Sequence, residues 1–194
     1  MLPRHYFHQD LWAARKVRET GTSVHYDFGS RIDGFIAHVL VFSDVRLFDV
    51  RPLAANVSGL STIVSDILDG LPVPDESVSS LSSLHAVEHV GLGRYGDRLD
   101  PLGHEKALAE LERILAPGGT LLLSLPVGRE RLEFNAQRVI DPTRVYLMLP
   151  HCELVEFSVI DDEDRLCLDA SPRDHRNAHY ACGLFQFRKR REID

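Results

Sequence analysis

The strongest constraint on this chain is the block from Asp66 to Pro126, which reads as a buried strand, a surface loop, an amphipathic helix, a turn and a second buried strand. Leu108, Leu111, Ile114 and Leu115 recur at the helical period, with Glu105, Lys106, Glu110, Glu112 and Arg113 between them on the side expected to face water. Pro117-Gly118-Gly119 cannot continue a helix, so the chain must turn there. Thr120 to Leu125 is a short apolar run of the kind that becomes an inner strand of a parallel sheet. Strand, crossover helix and strand make the unit of an open α/β sheet. Such sheets bind ligands outside the carboxyl ends of their strands.

The wording of the block narrows this further. LPVPDESVSSLSSLHAVEHV followed by LAELERILAPGGTLLLSLP resembles the second half of class I S-adenosylmethionine-dependent methyltransferases. The likeness covers roughly residues 22 to 127. HYFHQDLWAARKV, DFGSRIDGF, GLGRYGDRLDP and PVGRERLEFNAQRV together resemble a small, largely uncharacterised methyltransferase-like family first catalogued from nematode sequences. The resemblance implies a doubly wound, mostly parallel α/β sheet of seven strands with an antiparallel edge. It also implies S-adenosylmethionine as cofactor and a small-molecule acceptor.

A chain of 194 residues is long enough for one domain with a real core. Within it, residues 1–21 read as a capping helix, 22–127 as the cofactor-binding core, and 128–194 as an acceptor-side loop and an edge hairpin. The net charge of −7 argues against general nucleic-acid binding, which needs a basic face. Arg188 to Arg191 reads as a solvated basic end. No apolar run reaches membrane-spanning length and MLPRHYFHQD has no signal-peptide pattern, so a cytoplasmic protein is expected. Cys152, Cys167 and Cys182 are widely spaced without a C-x-x-C pair, which favours reduced thiols and no metal.

Along the chain, residues 5–19 form an amphipathic pattern with Phe7, Leu11, Trp12 and Ala14 inward. In the methyltransferases this segment resembles, such a helix covers part of the cofactor, which would bring His5, Tyr6 and His8 near the site; capping or packing of the helix is the alternative. SVHYDF reads as the first, central strand, entering the turn Gly29-Ser30, where a glycine lets backbone pass close to a ligand. The resemblance assigns Asp27, Gly29 and Ser30 to the cofactor. Arg31 and Asp33 stand where the family pattern has glycines. GFIAHVLVF reads as a helix with Phe35, Val39 and Phe42 against the sheet.

Asp49, at the end of the second strand, can accept from both ribose hydroxyls of a nucleoside; the alternative is a turn residue beside Arg51-Pro52. After a third strand ending at Val64, Asp66 and Ile67 are the family's adenine-binding pair, with Asp69 a competitor. The fourth strand has Ser79 where the family usually has an aspartate, and delivers Leu84 and His85 to the ligand end. His85, Glu88 and His89 could share a helical face. A metal is the weaker reading of H-x-x-E-H here; His85 near the cofactor, with Glu88 and His89 as structural partners, is the stronger, and His85 is also a candidate general base for a substrate hydroxyl.

The Gly- and Asp-rich loop 91–103 carries Tyr95, Asp97 and Asp100 at the ligand face. Downstream, Arg129, Arg131, Asn135 and Arg138 are candidates for an acceptor site, where paired arginines suit a phosphate or carboxylate, as on a nucleotide-linked sugar. Residues 146–149 read as a short helix, 153–160 and 183–188 as a closing hairpin, and the polar stretch between them as mobile. The function expected is methyl transfer to a small acceptor such as a sugar hydroxyl. A catalytically silent ligand- or partner-binding module is the alternative. A nicotinamide oxidoreductase fits worse, because no Gly-x-Gly-x-x-Gly follows the first strand.

Overall fold

A computed structural model describes residues 4–53 and 56–191. In chain order its helices are α1 (Arg4–Thr20), α2 (Ala37–Val39), α3 (Gly103–Ile114) and α4 (Pro142–Val145). Its strands are β1 (Val24–Phe28), β2 (Asp44–Asp49), β3 (Leu60–Val64), β4 (Val78–Leu84), β5 (Leu115–Val127), β6 (Arg131–Glu133), β7 (Gln137–Val139), β8 (Cys152–Ile160), β9 (Leu166–Cys167) and β10 (Ala181–Lys189). The main sheet runs β3-β2-β1-β4-β5-β10-β8-β9. From β3 to β5 all neighbours are parallel, and β10, β8 and β9 are antiparallel additions. Seven strands were expected and are present; the eighth is the two-residue edge β9.

The apolar run of β5 shows how the sheet is sandwiched. Leu121, Leu123 and Leu125 join Leu108, Leu111 and Ile114 of α3 in one buried cluster, whereas Leu122 joins Trp12, Ala13 and Val17 of α1 in the other. The period-two alternation thus feeds both layers. Each fully buried aliphatic side chain contributes about 1.5–3 kcal/mol. Both faces being covered explains why β5 reads as a continuous apolar run. The Pro-Gly-Gly turn is folded into β5 as an irregularity, the register with β4 jumping from Val78↔Leu115 to Ser80↔Thr120. Gly118 supplies the positive φ of 80° that this needs.

Several local expectations are corrected. Phe7 and Phe42 are 40% and 39% exposed. The buried face of α1 is set by Gln9, Trp12, Ala13 and Val17. Phe7 lies six residues before Ala13, about 120° round the helix. The helix expected over 34–42 is a π turn at Ile32–Ile36 followed by the single turn of α2, so Phe42 lies past its end. Gly34 is required there, since a Cβ would stand 2.1 Å from an Asp10 carboxylate oxygen of α1. Glu112, expected in water, is 6% exposed and accepts from the His151 amide at 2.8 Å. The acceptor-side loop expected after β5 is not plain loop, because β6 and β7 pair within it as a small separate hairpin. Strands β8 and β10 do pair, but β10 lies inside, between β5 and β8, and the polar stretch joining them carries β9 and a 3-10 turn at Pro172–His175. Among the described residues no helix is long and apolar enough to cross a membrane.

Candidate functional site

The carboxyl ends of β1, β2 and β4 open onto a recess lined by Phe28, Gly29, Asp49, Asp66, Ile67 and His85, with Arg51 and Tyr95 across it. Its position follows from topology: four parallel strands deliver their last residues to one edge, where the backbone leaves the sheet. Gly29 has φ +74°, and a Cβ there would meet that of Ala86 at 2.7 Å, so the turn after β1 has room for glycine alone. Asp66 caps the 3-10 turn Ile67–Asp69 by accepting from the Leu68 amide at 2.9 Å. The competing Asp69 is largely exposed and pairs with Arg98.

Asp49 is buried and already engaged. Its two carboxylate oxygens hold the Arg51 guanidinium as a fork, at 2.9 and 2.7 Å, and one also accepts the Arg51 amide. Arg51 in turn lies 4.8 Å over the Tyr95 ring. With Arg51 across it, the recess holds only about 60 Å³ of open volume. The side chain of Arg51 is 47% exposed, so it can swing into water, at the cost of its fork on the buried Asp49 carboxylate unless a ligand's hydroxyls replace it. Once it does, the acceptor oxygens of Asp49 face the recess. The donor set therefore fits a nucleoside. Arg51 was not singled out from sequence, although its place two residues after Asp49 is where a fork back onto that carboxylate can form. Asp97 organises the loop that presents Tyr95, accepting from the amides of Gly91, Gly93 and Tyr95.

Asp27, Ser30 and Leu84 do not line the recess; they brace it from beneath. Asp27 is fully buried and accepts from the Ser30 amide at 2.9 Å, the Ser30 hydroxyl at 2.7 Å and the Ser82 hydroxyl. The Ser30 hydroxyl accepts from the Leu84 amide at 3.0 Å. Because Ser82 donates to Asp27, it accepts from His25 Nε2–H at 2.8 Å, which leaves His25 Nδ1 to accept from Ser80 at 2.8 Å. This chain locks β1 to β4 under the Gly29 turn. Burial pulls His25 down to about 3, and burial also pushes Asp27 up to about 6 against the bonds from Ser82 and Ser30.

His85 separates this recess from a second, of about 620 Å³, lined by His5, Tyr6, His85, Asp162, Asp164, His179 and Tyr180. Helix α1 supplies one wall and the segment between β8 and β10 the other. His5 stacks on His85 at 6.0 Å and on Tyr180 at 5.6 Å, and Arg31 lies 4.6 Å over the Tyr6 ring. Asp162 holds the far wall by accepting from the amides of His179 and Tyr180, each at 2.7 Å. His85 itself has φ +50°, and its Nδ1 meets Glu88 Oε1 at 2.7 Å. Burial pulls its pKa down, but Cys182 and Glu88 beside it prevail and hold it well above the usual value. A protonated His85 has no lone pair for a hydroxyl, so the base role expected from sequence requires that proton to leave first. The H-x-x-E-H residues do not share an α-helical face: Val87–His89 is a 3-10 turn, and His89 Nδ1 is spent on the Ala136 carbonyl at 2.6 Å.

The acceptor candidates of the 129–138 stretch line neither recess. Arg138 is buried and donates to the carbonyls of Glu88, Val90, Asp100 and Pro101, which pins the 91–101 loop. Arg131 pairs with Glu133 and donates to the His179 carbonyl at 2.8 Å, so it reaches the second recess only through that wall. Arg129 and Asn135 are exposed. A further groove, of about 820 Å³, lies at the opposite, amino end of the parallel strands between Lys16, Ser79, Gly118 and Arg188 to Arg191. It is open and charged, and it holds none of the strand-end carboxylates that a nucleoside site requires.

This sheet and site define a methyltransferase-like α/β fold, and solved structures share it. The N-methyltransferase NodS of Bradyrhizobium japonicum WM9, solved with S-adenosylhomocysteine, aligns at 18% identity over 94% of this chain and 86% of its own, with a TM-score of 0.65. The 1,6-didemethyltoxoflavin-N1-methyltransferase of Burkholderia thailandensis aligns at 14% identity over 95% of this chain and 80% of its own, with a TM-score of 0.66. The [4+2]-cyclase SpnF aligns at 14% identity over 94% and 82%, with a TM-score of 0.67. The likeness at these identities is one of fold, and function has to be argued from the site. No curated protein matches the chain. The family model for the Caenorhabditis protein of unknown function, DUF268, matches residues 73–183, more than half of the sequence. The chain belongs to that family.

Proposed function

We propose that the protein transfers the methyl group of S-adenosylmethionine to a small acceptor. The observation that carries this reading is the meeting of two recesses at His85, one furnished for a nucleoside and one open to solvent. In the first, Asp49 takes the ribose hydroxyls once Arg51 swings away. Asp66 and the Ile67 amide take the adenine edge, and the Gly29 turn lies along the amino-acid part of the cofactor. A nucleophile in the second recess attacks the methyl carbon. The carbon–sulfur bond breaks, its electron pair returns to sulfur, and the acceptor gives up its proton to solvent through the open second recess. Alignment and exclusion of water supply most of the acceleration in such a step, so few reacting side chains are needed.

The second recess suits a hydroxylated acceptor: the rings of His5, Tyr6 and Tyr180 match the apolar face of a sugar ring. The fork of Arg51 on Asp49 favours the second reading, a silent module whose nucleoside site is filled by its own arginine. Calorimetric titration with S-adenosylhomocysteine separates the two. Binding by the wild type, weakened about 100-fold in Asp49→Asn (~3 kcal/mol), supports the transferase. No heat at millimolar ligand supports the silent module.

A further inference from the structure

We propose that the chain binds one divalent cation of the zinc class through His5, His85 and Cys182. One ligand atom from each of the three lies within 4.8 Å of the others. They come from three separate elements: His5 from α1, His85 from the residue after β4, and Cys182 from β10. Two imidazoles and a thiolate suit a borderline-soft ion that accepts tetrahedral nitrogen and sulfur donors.

A second, independent observation points the same way. The His85 side chain is 7% exposed, its Nδ1 is spent on Glu88, and its Nε2 is buried with no hydrogen-bond partner. Leaving such a nitrogen unsatisfied costs free energy, and a metal ion removes that cost. A carboxylate behind a metal-binding imidazole fixes its ring and tautomer, which is the place Glu88 occupies. His5 is held between the rings of His85 and Tyr180, so its orientation is also set. Cys182 is fully buried, with its sulfur 3.8 Å from Gln9 Oε1; metal binding would displace the thiol proton and the Nε2 proton of His85.

Three protein ligands leave a fourth position open, as in reactive sites of this class. His5 and His85 both line the second recess, so an acceptor hydroxyl can reach that position. There it would lose its proton to solvent more readily, and its oxygen would be the nucleophile for the sulfonium methyl. This last step rests on the methyl-transfer reading; the cation site does not. A bound ion would also tie α1 to β4 and β10.

The test is titration of the reduced, chelator-treated full chain with cobalt(II), followed by zinc(II). The expected result is one equivalent of cobalt, a near-ultraviolet thiolate-to-cobalt charge-transfer band, and its loss on adding zinc. Cys182→Ser should lose the band, and His5→Gln, at a half-buried helix position, should weaken cobalt binding at least tenfold with an unchanged far-ultraviolet spectrum. Should Cys182→Ser fail to fold, His5→Gln still decides. Folded wild type that shows no band at millimolar cobalt overturns the site, as does a band that survives in folded Cys182→Ser. Binding of S-adenosylhomocysteine without any cobalt band would sink the cation site and leave the transferase reading intact.

Discussion

The two recesses that meet at His85 are built in opposite ways. The first recess takes its lining from strand ends and the turns that follow them, so each wall residue is placed by the hydrogen-bonded sheet a few atoms away. The second recess takes its walls from the two ends of the chain, His5 and Tyr6 on α1 and His179 and Tyr180 before β10. No ladder bond connects these walls directly. They are held by the Asp162 clasp, by the Tyr180 hydroxyl donating to Gln137 at 3.1 Å, and by ring stacking. The first site is rigid by topology and the second is set by side chains, which makes the second the easier of the two to alter without disturbing the fold.

If the buried chain under the Gly29 turn is what stiffens the first recess, breaking it should have the largest effect. His25→Ala would leave Ser80 and Ser82 without their ring partner and open a cavity against Phe35, which meets the His25 ring edge-on at 5.8 Å. A stability loss of ~3 kcal/mol is expected, read as a lower denaturant midpoint. Substitutions in the second recess, such as Tyr180→Phe, should move that midpoint far less.

Acid should act through the same chain. His25 titrates near 3 in the folded protein and near 6.5 when unfolded, so its contribution is full above pH 6.5 and is lost as pH falls toward 3. Asp27 is raised from 3.8 to about 6, so its contribution is present below 3.8 and lost as pH rises through 6. The two oppose each other, one proton each, so their slopes cancel between about pH 6 and 4 and wild-type stability should change little there. His25→Ala leaves Asp27 unopposed, so its stability should rise as pH falls from about 6 to 4. Denaturation curves at pH 7, 5.5 and 4 check this.

A smaller effect tests how the two recesses differ in access. Arg51→Ala removes the fork that competes for Asp49, so S-adenosylhomocysteine should bind about threefold to tenfold more tightly by calorimetry (~1 kcal/mol). Weaker binding would instead make Arg51 a ligand contact.

The same contrast explains what could be read from sequence. Helix α3 and strand β5 were legible because apolar period alone determines which face is buried. That Asp49, Asp66, Ile67 and His85 share one edge was legible because they stand at or just after strands whose carboxyl ends must converge. Asp27, expected at the cofactor, and His25, not singled out, instead bond to Ser80 and Ser82 on the neighbouring strand, a pairing across strands that no local pattern records. Arg138 looked like a ligand-binding arginine and instead satisfies four loop carbonyls. The second recess was hidden because it depends on long-range closure between α1 and β10, which no local pattern records.

The most direct test of the account is amide-resolved NMR of the labelled protein titrated with S-adenosylhomocysteine. The account predicts shifts concentrated at residues 28–30, 49–51, 66–67 and 85–86, with Arg188 to Arg191 unmoved. Shifts centred on the groove at the amino ends of the strands, or none at millimolar ligand, would contradict it.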